Sequence, residues 1–152
     1  MNTKRLSLLA LLAIGAAATY WGVMPQAPQT AGRSMAPSDS NDIGQGALIA
    51  DVTVPAKLTA DAQIGKRAYE AKCAECHGTN AAGQNGIAPP LVHKIYEPSH
   101  HSDMAFVMAA KNGVRAHHWQ FGNMAPVGGV TDAEVKLITR YVRELQRENG
   151  VF

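Results

Sequence analysis

Beyond residue 58 the apolar residues repeat at helical rather than strand spacing. Ile64, Ala68, Tyr69 and Cys73 share one face of a segment that Thr59 or Asp61 can cap and that runs to about Lys72. Gly65 lies beside that face; it costs helix propensity and is best tolerated where another backbone comes close. Met104, Phe106, Val107, Met108 and Ala110 are nearly continuous across Asp103 to Asn112, after Ser99 or Ser102 as a cap and before Gly113 as a left-handed stop. Within that run Met104 and Met108 read as core filler. Thr131-Asp132-Ala133-Glu134 is a capping box. It opens a last helix with Val135, Ile138, Tyr141, Val142 and Leu145 at helical spacing and Arg and Glu on the other face. Gly78 to Gly86 is a loop by composition, Pro89 and Pro90 impose extended backbone, and Val114 to Val130 is irregular. No strand-like alternation or internal repeat is visible, so residues 59–152 are predicted to form an all-α domain.

The first third of the chain has a different pattern. Lys4 and Arg5 precede an uncharged apolar run of 19 residues, Leu6 to Met24. Basic residues before such a run keep the N-terminus in the cytoplasm and export the chain beyond it. Ala16, Ala17 and Ala18 offer a cleavage site for a signal peptide. The run is alternatively an uncleaved transmembrane anchor: its length is near the lower limit for a bilayer span, and Tyr20 and Trp21 fall where an outer aromatic belt lies. The anchor is the favoured reading of residues 1–24. On either reading the rest of the chain is expected to lie outside the cytoplasmic membrane, anchored or free. Residues 25–58 are rich in Pro, Gly, Ala, Ser, Gln and Asp, without period, and read as a flexible linker. Val52, Val54 and Leu58 are its candidates for packing on the domain edge.

Charge changes this picture little. Lys and Arg number 14 against 12 Asp and Glu, for a net charge of +2. No basic field large enough to follow a phosphate backbone exists, so nucleic acid is excluded as a partner.

The chemistry is concentrated in Cys73-Ala74-Glu75-Cys76-His77-Gly78, which holds both cysteines of the chain. C-x-x-C-H is the attachment signature of a c-type haem. Two intervening residues make about one helical turn, so both thiols reach the two vinyl groups along one porphyrin edge, and His77 falls under the iron. A thioredoxin-like site needs a βαβ pattern that is absent here. A structural zinc site needs four ligands at other spacings. A disulfide across three residues closes almost no loop. One covalent haem c is therefore the expected cofactor.

The iron's other face can take Met104, Met108, Met124, His93, His100, His101, His117 or His118. Met124 stands out because it lies in a loop, between Gly122-Asn123 and Ala125-Pro126, that can present a side chain to a haem face. His117 and His118 remain as alternatives. The doublets His100-His101 and His117-His118, with His93, also read either as a second metal site or pH-sensitive docking surface, or as solvated loop residues.

From Thr59 to Gln146 the motif order resembles a small bacterial class I (monohaem) c-type cytochrome. The resemblance implies that family's all-α fold, a few helices wrapped around one covalently bound haem. It places Ala88-Pro89-Pro90-Leu91 where the family has Gly-Pro-x-Leu, which implies that the Pro89 carbonyl accepts from His77 Nδ1 and that Leu91 packs on the haem. It implies a crossing of the first and last helices through Gly65, Tyr69, Ile138 and Tyr141. It makes Met124 the axial methionine, and Trp119 with Arg115 the partners of a haem propionate; ordinary core packing is the competing role for Trp119. The implied function is electron transfer by a non-enzyme, monomeric haem domain. Implied partners are a dehydrogenase or bc1-type donor and an oxidase or reductase acceptor in a respiratory chain. Rival readings are a haem enzyme or gas sensor with a labile sixth ligand, and a dedicated haem subunit of a periplasmic dehydrogenase.

Overall fold

A computed structural model describes residues 43–152. The expected anchor or signal segment and the first part of the expected linker lie outside the described residues. Among the described residues no helix is long and apolar enough to cross a membrane.

Among the described residues four α-helices follow one another: α1 (Ala60–Lys72), α2 (Ala74–His77), α3 (Asp103–Asn112) and α4 (Asp132–Glu148). Short 3-10 turns at Thr79–Ala81 and Lys94–Tyr96 punctuate the loop between α2 and α3. No strand forms among the described residues; only isolated bridges such as Val114 with Met124 occur. The all-α expectation therefore holds.

The helix ends follow local chemistry. Thr59 caps α1 through its side chain, which accepts from the Ala62 amide. Thr131 and Glu134 form the reciprocal capping box of α4, satisfying two donors that the first turn leaves open. Ser102 stands at the N-cap of α3 but makes no capping hydrogen bond. Gly113 ends α3 with φ of 73° and ψ of −179°. This is not the left-handed helical stop expected from the sequence but an extended, mirror-image conformation open essentially to glycine alone.

The core is the crossing of α1 over α4. Ala62 and Tyr69 from α1 meet Ile138, Tyr141, Val142 and Leu145 from α4, all buried. The Tyr69 and Tyr141 rings lie 5.6 Å apart and tilted by 55°. Each fully buried aliphatic side chain contributes about 1.5–3 kcal/mol relative to exposure. Gly65 makes the crossing possible: a β-carbon there would overlap the Leu137 carbonyl group. A second, smaller cluster joins Val107 and Ala110 of α3 to Val135 of α4, with Phe106 packed against both clusters.

Three expectations about burial change. Ile64, assigned to the packed face of α1, is 43% exposed; the buried stripe runs through Ala62, Gly65 and Tyr69 instead. Met104 and Met108 are not core filler: they are about half exposed, and α3 packs through Val107 and Ala110. On α4, Arg143 and Gln146 are buried although an Arg/Glu surface was expected beside the apolar stripe. Arg143 donates to the Asp103 carboxylate at 2.8 Å, to the Tyr96 carbonyl at 2.6 Å and to the His101 carbonyl. Gln146 donates to the Leu91 and Tyr96 carbonyls. Together they fasten the loop before α3 onto α4.

The end of the expected linker is ordered. Residues 43–58 run as a strap along the domain: Gly46 and Ala50 donate to the Asn85 and Ala82 carbonyls, and Asn85 donates to the Ala47 carbonyl. Thr53 and the Asn149 side chain exchange a pair of hydrogen bonds. Val52 and Leu58 pack against the main core, while Val54 stays 38% exposed. Backbone pairing, to which composition is blind, holds this stretch.

Candidate haem-binding site

The C-x-x-C-H stretch forms the single turn α2 immediately after α1, because Cys73 interrupts the helix with φ of −122° and is both the C-cap of α1 and the N-cap of α2. Cys73 and Cys76 are free thiols, the first half-buried and the second exposed. Burial, with the neighbouring Cys76 adding to it, pushes the Cys73 thiol up to about 11, so it stays protonated at neutral pH.

His77 ends α2. Its Nδ1 lies 2.9 Å from the Pro89 carbonyl oxygen. A carbonyl can only accept, so Nδ1 carries the proton and Nε2 keeps its lone pair for a metal. The residue retains some accessible surface, yet its ring lies deep enough that burial holds its pKa below the ordinary histidine value; the Pro89 bond opposes this only in part. The ring is therefore neutral near pH 7, the form that ligates.

The loop from Gly78 to Leu91 brings Pro89 to that position. Gly83 donates to the His77 carbonyl at 2.7 Å, and Gln84 donates to the Ala88 carbonyl at 2.8 Å. Asn80 and Ala81 are consecutive non-glycine residues in the left-handed region, with φ of 54° and 62°. That arrangement is strained for both, Ala81 above all. It is held by the Tyr141 hydroxyl on Asn80 Oδ1 at 3.1 Å and by the Leu91 and Val92 amides on the Ala81 carbonyl. The Tyr69 hydroxyl donates to the Gly78 carbonyl at 2.7 Å, tying the core crossing directly to the end of the cysteine turn. Leu91 is partly buried against the main core.

Met124 lies in the other loop. Its backbone exchanges two 2.9 Å hydrogen bonds with Val114 across an isolated antiparallel bridge. The preceding Asn123 side chain accepts from the Ala116 amide, closing the loop on itself. Gly113 runs so close to this pair that a β-carbon on it would lie 2.5 Å from the Met124 carbonyl oxygen. Positive φ and close approach thus both demand glycine where α3 ends.

Trp119 is buried, stacked on Phe121 at 5.4 Å and touched edge-on by His93 at 5.3 Å. Its Nε1 is the one buried side-chain polar atom without a hydrogen-bond partner among the described residues. The indole is near enough to the Tyr96 hydroxyl to moderate the rise that burial imposes on it, to about 12, but does not reach hydrogen-bond geometry. A buried orphan donor costs about 1–3 kcal/mol and calls for an acceptor from outside the chain. A carboxylate of haem has that chemistry. Arg115 is exposed in the same loop. The donor set therefore fits haem: two free thiols one turn apart, a neutral, partly buried imidazole with a free nitrogen, a pinned loop methionine, and an indole N–H in want of an acceptor.

Residues 62–146 match the family model for cytochrome c. The chain belongs to the cytochrome c family. Neither the curated proteins nor the solved structures give a significant match to it. The matched span begins in α1 and ends in α4, so it takes in the crossing and both loops but not the strap. Family membership brings covalent haem c as the cofactor and haem-based electron transport as the function. With two cysteines in the whole chain, this cytochrome has one place to attach it.

The structure also shows contributors that the sequence hid. Tyr69, Tyr141 and Asn80 were legible only as packing or loop residues, yet their hydrogen bonds hold the turn after His77. No local signal marks a tyrosine whose hydroxyl faces a backbone carbonyl nine residues on.

Proposed function

We propose that this cytochrome is a single-electron carrier on the periplasmic side of a bacterial membrane, with His77 and Met124 as the two axial ligands of its haem iron. Cys73 and Cys76 form the thioether links. His77 offers Nε2, oriented by its Nδ1–H bond to Pro89, and that 2.9 Å bond is the observation that carries the reading. Bound haem supplies a one-electron Fe(III)/Fe(II) couple. A methionine thioether favours the reduced state relative to a second imidazole, so Met124 sets a higher potential.

Several observations support Met124 over its rivals. Its loop is pinned on both sides by backbone pairing, whereas Met104 and Met108 stand half exposed on α3. The rings of His117 and His118 belong to a separate histidine cluster, with His118 lying 3.4 Å from His100 and the His117 ring centre 4.2 Å from that of His118. Leu91 packs on the haem, and Trp119, with Arg115, binds a propionate.

Two strong protein ligands leave no coordination position for a substrate, so the site passes electrons and is not an enzyme. The domain acts as a monomer, held to the membrane by residues 1–24. It takes electrons from a dehydrogenase or bc1-type complex and delivers them to an oxidase or reductase of a respiratory chain. Carbon monoxide tests this directly. Reduced holoprotein mixed rapidly with the gas is expected to bind it negligibly or only slowly, because Met124 must leave first. Fast, saturable binding would mean an open sixth position and a catalytic or sensing role instead.

A further inference from the structure

Four of the six histidines gather at one place that the haem site does not use. His100 and His101 come from the turn before α3, and His117 and His118 from the loop after it. We infer that His100, His101 and His118 form a second metal site, for a divalent first-row ion such as Zn2+ or Cu2+.

The geometry carries the inference. One ring nitrogen from each of these three residues lies within 4.8 Å of the others. His100 Nε2 and His118 Nε2 are 3.4 Å apart. That is long for a hydrogen bond. It matches the edge of a tetrahedron around a metal held at about 2.05 Å by imidazole nitrogen, roughly 3.3 Å. The ring centres agree: they form a nearly equilateral triangle with sides of 4.8, 5.2 and 5.2 Å. Three imidazoles bound to one tetrahedral ion have ring centres about 5 Å apart by the same construction.

The support around the triangle has the form that metal sites use. His101 Nδ1 lies 2.7 Å from the Ile95 carbonyl, which fixes that nitrogen as the donor and leaves Nε2 as the ligand. The His101 carbonyl is itself held by buried Arg143, which also fastens Tyr96 and Asp103. His118 precedes buried Trp119, which anchors its loop. Burial, reinforced by the neighbouring rings, holds both His101 and His118 below the ordinary histidine pKa, and Arg143 adds to this at His101. Rings in that state are neutral ligands at neutral pH. His117 lies 4.2 Å from His118 with its ring tilted, but its ring centre is 6.2 Å from that of His101, so it stands beside the triangle rather than in it. Three imidazole nitrogens with no carboxylate among them suit Zn2+ or Cu2+ and disfavour Mg2+ and Ca2+, which want oxygen. The fourth position is left to water or an incoming anion.

The test uses chelator-treated holoprotein. Calorimetric titration is expected to show one Zn2+ bound per chain, no response to Mg2+, and affinity at least ~100-fold weaker in His118→Asn, since even a supporting residue costs up to that factor. The haem absorption spectrum, unchanged in the variant, reports that the fold and iron ligands survive. Should it change, the wild-type holoprotein decides: Cu2+ bound to it is expected to show electron-spin hyperfine coupling to at least three nitrogens. Zn2+ binding that is non-saturable or indifferent to His118→Asn, or copper coupled to fewer than three nitrogens, would overturn the site. Either result leaves the haem reading standing, because neither readout depends on His77 or Met124.

Discussion

The α1–α4 crossing and the 113–130 loop hold themselves in opposite ways. The crossing is dry and closely fitted: Tyr69, Tyr141, Val142 and Leu145 are fully buried, and Gly65 lets the two backbones meet. The loop carries no comparable apolar core of its own. It is held by the Val114–Met124 bridge, the Asn123 bond to Ala116 and the Val127 bond to the Ala110 carbonyl, and it keeps Trp119 buried with an unpartnered N–H. The crossing is complete as protein, whereas the loop leaves the buried Trp119 N–H in want of an acceptor. This division suits the proposed electron carrier, in which a rigid frame would present His77 from one side and the loop would supply Met124 from the other.

The difference can be broken first at its strongest point. Gly65→Ala drives a methyl into the Leu137 carbonyl, and backbone on both sides leaves little room to yield. A stability loss of about 3 kcal/mol in denaturant unfolding is expected; a loss below about 1 kcal/mol would mean the helices are not in close contact. Trp119→Phe probes the loop. It removes the orphan donor and is expected to cost the holoprotein about 2 kcal/mol, the worth of a hydrogen bond to a charged group. It should also alter the pH dependence of the midpoint potential, because a propionate loses its donor. If both stay as in the wild type, Trp119 only packs.

The smallest effect belongs to the frame again. The Thr131 amide and hydroxyl hold the Glu134 carboxyl below its ordinary value of 4.5. The unfolded chain therefore binds this proton more readily. The contribution is present above the unfolded value and is lost as pH falls through the folded one. Glu134→Gln is expected to flatten the acid limb of the stability profile between those two values and to leave the haem spectrum unchanged. A profile that keeps its full slope would show that the capping box does not titrate with folding.

Sequence alone reached the frame well because its signals are local. The Thr131–Glu134 box, the Thr59 cap and the helical spacing of Val135, Ile138, Tyr141, Val142 and Leu145 each lie within a few residues. The haem attachment motif is likewise contiguous. The features that escaped were decided by distant partners. Arg143 comes just after the apolar pair Tyr141-Val142 and reads as surface, but carbonyls of Tyr96 and His101 draw it inside. Ile64 fits the helical period, yet the crossing angle turns Ala62 and Gly65 to the core instead. Met104 and Met108 belong to an unbroken apolar run, where periodicity has nothing to choose with. The strap at 43–58 is held by backbone bonds to Ala82 and Asn85, and low hydrophobicity gave no hint of them.

The proposed electron carrier depends on sulfur from Met124 facing nitrogen from His77 across one covalent haem. Near-infrared absorption of the oxidised holoprotein, recorded beside Met124→Ala, tests this most directly. The wild type is expected to show the weak charge-transfer band of a methionine thioether on ferric iron, and the variant to lose it while keeping its haem through acid–acetone extraction. A band that survives Met124→Ala, or a wild type that never shows one, would contradict the assignment.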